Sequence, residues 1–143
     1  MCFKEKRRVD MDKKTMVNMP LSPLQIAAGA ELLLRTDTGG VNAKAAMWIR
    51  SEDQPEWRLL LGIQGLKKQG PRAIYTRLQF FLKKKPPLDG VTLSDIVLDD
   101  PGSLALQNMR MVIRTGTGIS AIQLSNNMMN GERLPDAYIY RLL

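Results

Sequence analysis

Apolar positions along this chain recur first at helical spacing and then at strand spacing, and each switch marks an element. Wound at about 100° per residue, the run from Leu24 to Arg35 puts Ile26, Ala27, Ala30, Leu33 and Leu34 on one face. Leu24 and Leu32 fall off that face, which predicts a well-buried helix. Ser22 followed by Pro23 supplies an N-cap with proline at the first helical position, and Gly39-Gly40 supplies the stop. Two strand-like runs, 41–50 and 56–64, flank the polar turn 51–55 and predict a hairpin. Ala43, Ala45 and Ala46 have weak strand preference, so a helix also fits the first run.

Gly70-Pro71 opens a second helix that runs to about Lys84 and ends at Pro86-Pro87. A short apolar strand, 96–98, follows. Asp100-Pro101 reads as the start of a third helix to about Arg114, with Ala105, Leu106, Met109, Val112 and Ile113 as its apolar face. The runs 119–124 and 134–142, around the turn signal Asn130-Gly131, predict a second hairpin. Hairpins mixed with helices point to an α+β fold, with three helices packed on a mostly antiparallel sheet of about five strands.

The polar, methionine-punctuated stretch 1–20 carries no countable period and is read as a mobile basic tail, leaving 21–143 as a single domain. Met11, Met16 and Met19 are alternative starts within it, so little weight rests on its lysines. Its beginning has no apolar segment of the secretory kind, and no run reaches the roughly 18–20 apolar residues of a membrane span. With a single cysteine, Cys2, no intrachain disulfide can form, and a cytoplasmic location without membrane attachment is expected.

Composition changes the picture in two ways. The chain has no histidine, which excludes Ser-His-Asp, Cys-His and His-metal chemistry and leaves carboxylate, lysine or serine-lysine catalysis. The net charge of +7 is also uneven: 17 Lys and Arg stand against 8 Asp and Glu up to residue 85, and 4 against 6 beyond it. That asymmetry points to an anionic partner for the first part.

Most candidate motifs dissolve in their context. Asp37-Thr38-Gly39 spells the aspartic-protease triplet, but it ends a helix instead of following an apolar strand, and no second triplet exists. The stretch 114–120, Arg-Thr-Gly-Thr-Gly-Ile-Ser, has the glycines of a phosphate nest, yet it follows a helix and lacks the lysine of a P-loop. Asp89, Asp95, Asp99 and Asp100 read as loop and cap residues rather than a Mg²⁺ site, so no metal and no cofactor is expected. Trp48 and Trp57 face each other across the first hairpin on this reading. Tyr138 and Tyr140 share one side of the last strand, with Ala137 and Ile139 on the other.

The second helix is the informative one. With Arg72 at 0°, Ile74, Tyr75, Leu78, Phe81 and Leu82 fall between about 180° and 300°, a sufficient core face. Phe80 falls at about 80°, among Arg72, Thr76, Arg77, Lys83 and Lys84, and Lys67, Lys68 and Lys85 extend the positive charge. A ring among cations suits nucleic acid, because phosphates take the charges and a base stacks on the ring. The competing expectation is a helix packed on both sides, with lysine stems covering Phe80.

No familiar family emerges from these residues. The expectation is a non-catalytic module binding RNA or DNA through Lys67, Lys68, Arg72, Arg77, Phe80, Lys83 and Lys84. The alternatives are a protein-interaction or self-associating domain, suggested by Met128, Met129 and a tyrosine-bearing terminal strand with a free edge, and a small carboxylate-dependent enzyme.

Overall fold

A computed structural model describes residues 20–129 and 131–143. The tail assigned to 1–20 lies outside them except for Pro20. The first helix, α1 (Pro23–Thr38), starts where expected: the Ser22 hydroxyl accepts from the Gln25 amide, and the Gln25 side chain accepts from the Ser22 amide. The alanine-rich run after it is a strand, β1 (Ala43–Arg50), which turns back antiparallel into β2 (Arg58–Ile63). A short helix α2 (Leu66–Gln69) and the longer α3 (Pro71–Lys83) then carry the chain across to β3 (Ile96–Asp99), which lies parallel to β2. The last elements are α4 (Leu104–Arg110), β4 (Ile122–Leu124), the two-residue strands β5 (Met128–Met129) and β6 (Glu132–Arg133), and β7 (Asp136–Leu142).

The architecture is α+β, with a mostly antiparallel sheet in the order β3-β2-β1-β7-β4. Strand alternation divides its side chains between two cores. Trp48, Leu59, Leu61 and Tyr140 face α1 and α3, where they meet Leu32, Leu33, Ile74 and Leu78. Met47, Leu60, Ala137, Ile139 and Leu142 face the opposite way and are covered by Leu106 and Met109 of α4. The tyrosines and their neighbours thus divide as their alternation predicts.

Four expectations need correcting. The buried stripe of α1 is Ala28, Gly29, Leu32, Leu33 and Thr36, so the face is rotated and Ala27 and Leu34 are exposed. The cause is Gly29, which admits the Trp48 and Tyr140 side chains: a Cβ there would lie 2.8 Å from Trp48 Nε1 and 2.7 Å from Tyr140 Cε2. Trp48 therefore does not pair with Trp57. It is fully buried, opposite Leu59, and donates to the Tyr140 hydroxyl at 3.0 Å, while Trp57 lies half-buried beneath the Arg50 guanidinium at 4.5 Å.

The third correction is α4, which starts at Leu104, ends at Arg110 and buries Leu106 and Met109, while Ala105 and Val112 are exposed. The Asp100 carboxylate accepts from the Gly102 amide at 2.8 Å and closes a turn, which leaves Ser103 to cap the helix. Fourth, the terminal strand has no free edge. β7 lies between β1 and β4, and the second hairpin holds the small β5–β6 ribbon, closed through Gly131 at φ +80°.

Candidate binding groove between two helices

Gly70 adopts a positive φ of 89° immediately before Pro71, and this pairing sets the direction in which α3 leaves the loop. The helix buries Ile74, Leu78, Phe81 and Leu82, a stripe at spacings of four, three and one. That stripe leaves Phe80 turned outward, 65% exposed, with its ring set edge-on to Phe81 at a centroid separation of 6.0 Å. Long lysine stems do not cover it.

Across from α3, α1 presents Leu34, 50% exposed. The two helices enclose an open groove of about 620 Å³ with Phe81 and Gly39 at its base. Gly39 is required there, because a Cβ would run into the Phe81 ring. Leu34 and Phe80 give the groove apolar walls; Arg77, Lys84 and Lys85 give it a positive rim.

Two arginines fasten the helices to each other in a reciprocal way. Arg77 of α3 donates to the Gly39 carbonyl at the end of α1. Arg35 of α1 donates to the carbonyls of Phe81 at 2.7 Å, Lys84 at 2.9 Å and Pro86 at 2.6 Å, around the end of α3. Each cation thus sits on the unsatisfied carbonyls and the negative dipole end of the other helix. Arg35 also holds Glu31, with Nε to Oε2 at 3.0 Å.

Of the residues expected to form a site, Arg77, Phe80 and Lys84 line the groove. Arg77 is partly engaged in fastening α1, a duty that helical periodicity has no means of revealing. Lys83 is exposed at the end of α3 but does not line the groove. Lys67 and Lys68 are exposed on α2, and Arg72 is exposed on the first turn of α3; none of the three reaches the groove. Among the described residues, Lys83, Lys84 and Lys85 take part in no ion pair. The α1 wall, with Glu31, Leu34, Arg35 and Thr38, is missed by sequence reasoning because Leu34 fits the expected core face.

The remaining motifs have structural work. Asp37 accepts two hydrogen bonds from the buried Arg141, at 2.9 and 2.8 Å, and clamps the end of α1 to β7. In the stretch 114–120, the amides of Thr115 and Ser120 donate to the carbonyls of Leu142 and Tyr140, so the loop runs along β7 and forms no nest. Asp95 accepts from the Thr92 amide and caps the 3-10 turn Leu93–Asp95, and Asp99 accepts from the Ser103 hydroxyl at 2.7 Å. No group of three or more potential metal ligands is gathered among the described residues. Nor does any buried side-chain nitrogen or oxygen among them lack a hydrogen-bond partner.

No family model, no curated protein and no solved structure matches this chain. No helix among the described residues is long and apolar enough to cross a membrane.

Proposed function

We propose that this protein is a non-catalytic binding module that takes single-stranded RNA or DNA in the groove between α1 and α3. The observation that carries the reading is the Phe80 ring, 65% exposed beside Arg77, Lys84 and Lys85. Apart from its edge contact with Phe81, the ring lies in water beside cations. It offers a base a stacking surface while the lysines neutralise the flanking phosphates. Arg77 and Arg35 are tethered to backbone, so they supply a fixed positive field; Lys84 and Lys85 on the rim supply mobile contacts, with Lys83 beside them along the strand's path. A groove of about 620 Å³ accommodates a base or two but not a duplex. On this reading the protein works in the cytoplasm and needs no cofactor.

The test is a fluorescence-anisotropy titration of the full chain with single-stranded and duplex oligonucleotides at low and moderate salt. Phe80→Ser is expected to weaken single-strand binding by about 5-fold to 100-fold, the worth of one stacked base. Replacing Lys83, Lys84 and Lys85 together by alanine should reduce the slope of log K against log salt by about two, at roughly 0.7 per phosphate contact. Both variants retain the lysines of residues 1–19, so binding through those alone would leave the titrations unchanged. That result, or no binding at low salt, would overturn the reading.

A second reading, self-association, rests on the opposite side of the molecule. Leu104 and Met111, at the two ends of α4, are 72% and 74% exposed, and Met128 is exposed as well. Sedimentation velocity over a hundredfold concentration range checks it. A dimer indifferent to salt would favour this reading over the first.

A further inference from the structure

The groove contains one group that does not suit a general polyanion site. Glu31 stands in its α1 wall, the single carboxylate among the lining residues, and its side chain is 46% exposed. Repulsion from phosphate makes such a carboxylate a liability unless the ligand also brings N–H donors to it. Its position is well defined. Oε2 accepts from Arg35 Nε, and Arg35, 10% exposed, is itself fixed by three backbone carbonyls. Oε1 and the second lone pair of Oε2 remain available to a ligand.

The hydroxyls in the groove work in the same sense. Thr38 donates its proton to the Leu34 carbonyl and Thr76 donates to the Arg72 carbonyl, so each has only acceptor capacity left for a ligand. The groove therefore meets a stacked base with fixed acceptors, while Lys84 and Lys85 are its mobile donors. Guanine matches this pattern best. Its N1–H and N2–H₂ form an adjacent donor pair that a carboxylate accepts, and its O6 takes a lysine. Uracil offers one N–H between two carbonyls, which a carboxylate repels.

We infer that the groove selects guanine within a single strand, with Glu31 as the residue that reads the base edge. The inference rests on the nucleic-acid reading above. It is tested with the full chain and nine-nucleotide oligouridylates that carry uridine, guanosine or inosine at the centre; a lone guanosine avoids quadruplexes. The guanosine oligomer is expected to bind at least about fivefold tighter than the all-uridine one, the discrimination of a good bidentate contact. Inosine, which lacks the N2 amine, should fall between them. Glu31→Gln keeps an oxygen for Arg35 and should remove the preference, so that the guanosine and all-uridine oligomers bind this variant alike. Equal affinity for all three oligomers, still lost on Phe80→Ser, would overturn the guanine inference and leave the groove standing. No binding to any oligomer would overturn both.

Discussion

The two faces of the sheet are built on different principles. The face under α1 and α3 is locked by directional contacts. Trp48 donates to the Tyr140 hydroxyl, which donates in turn to the Ile26 carbonyl at 2.6 Å, and Gly29, having no Cβ, leaves room for both rings. The face under α4 is filled by Met47, Met109, leucines and alanines, with no hydrogen bond among those side chains, and its covering helix has only seven residues. Methionine adapts to irregular space, whereas a bonded aromatic pair accepts one arrangement. The rigid face is the one that supports the groove. A binding surface made of two helices keeps its width only if those helices cannot shift on the sheet.

This contrast is broken most sharply at Gly29. Gly29→Val pushes a branched side chain into Trp48 and Tyr140, and a loss of about 3 kcal/mol or more is expected, read as a lower urea midpoint. Tyr140→Phe should come next. It removes the acceptor of a buried Trp48 N–H, at a cost of about 1–3 kcal/mol.

The same residue gives the rigid face a pH signature. Burial pushes the Tyr140 phenol well above its ordinary pKa, the Trp48 hydrogen bond opposes this, and nearby Tyr138 adds to it. The unfolded chain ionises that tyrosine near pH 10 while the native state does not. Its contribution is therefore complete below about pH 10 and is lost as pH rises further. Denaturant melts between pH 8 and 11 should show the decline, and Tyr140→Phe should flatten part of it.

On the adaptable face, Met109→Leu should cost less than about 1.5 kcal/mol, being close to volume-conserving. A larger loss would mean that the two faces are equally exacting. The smallest effect is expected at the groove itself. Phe80→Ser should change stability by no more than about 0.5 kcal/mol, since the ring is largely exposed. A substantial loss on thermal melting would mean that Phe80 belongs to the core.

The elements were legible where the chain carries local signals. Ser22-Pro23, Gly70-Pro71 and the polar turn after Arg50 mark real boundaries, and the wheel for α3 separates Phe80 from its buried neighbours. What escaped depends on distant partners. The face of α1 is decided by Gly29, which carries no weight in a hydrophobic pattern, and by rings more than a hundred positions away along the chain in the case of Tyr140. The pairing of Asp37 with Arg141 spans a similar distance. Half of the groove was legible for the same reason: the α3 wall follows from its own periodicity, whereas Leu34 and Glu31 face it only because α1 docks in that rotation.

The position of β7 has a consequence for how the protein comes into being. This strand is made after all the others, yet it lies inside the sheet, joining Trp48 to Tyr138 and Ile122 to Ile139, and it supplies residues to both cores. During synthesis β1 and β2 can form their hairpin early, but one flank of β1 stays open until 136–142 has left the ribosome. Pairings that span some ninety positions are slow to close. Until then Met47 and Trp48 lie in a strand with an unpaired edge, a template for any passing extended chain. That interval is when the edge of β1 that β7 covers in the native sheet is open to wrong pairing.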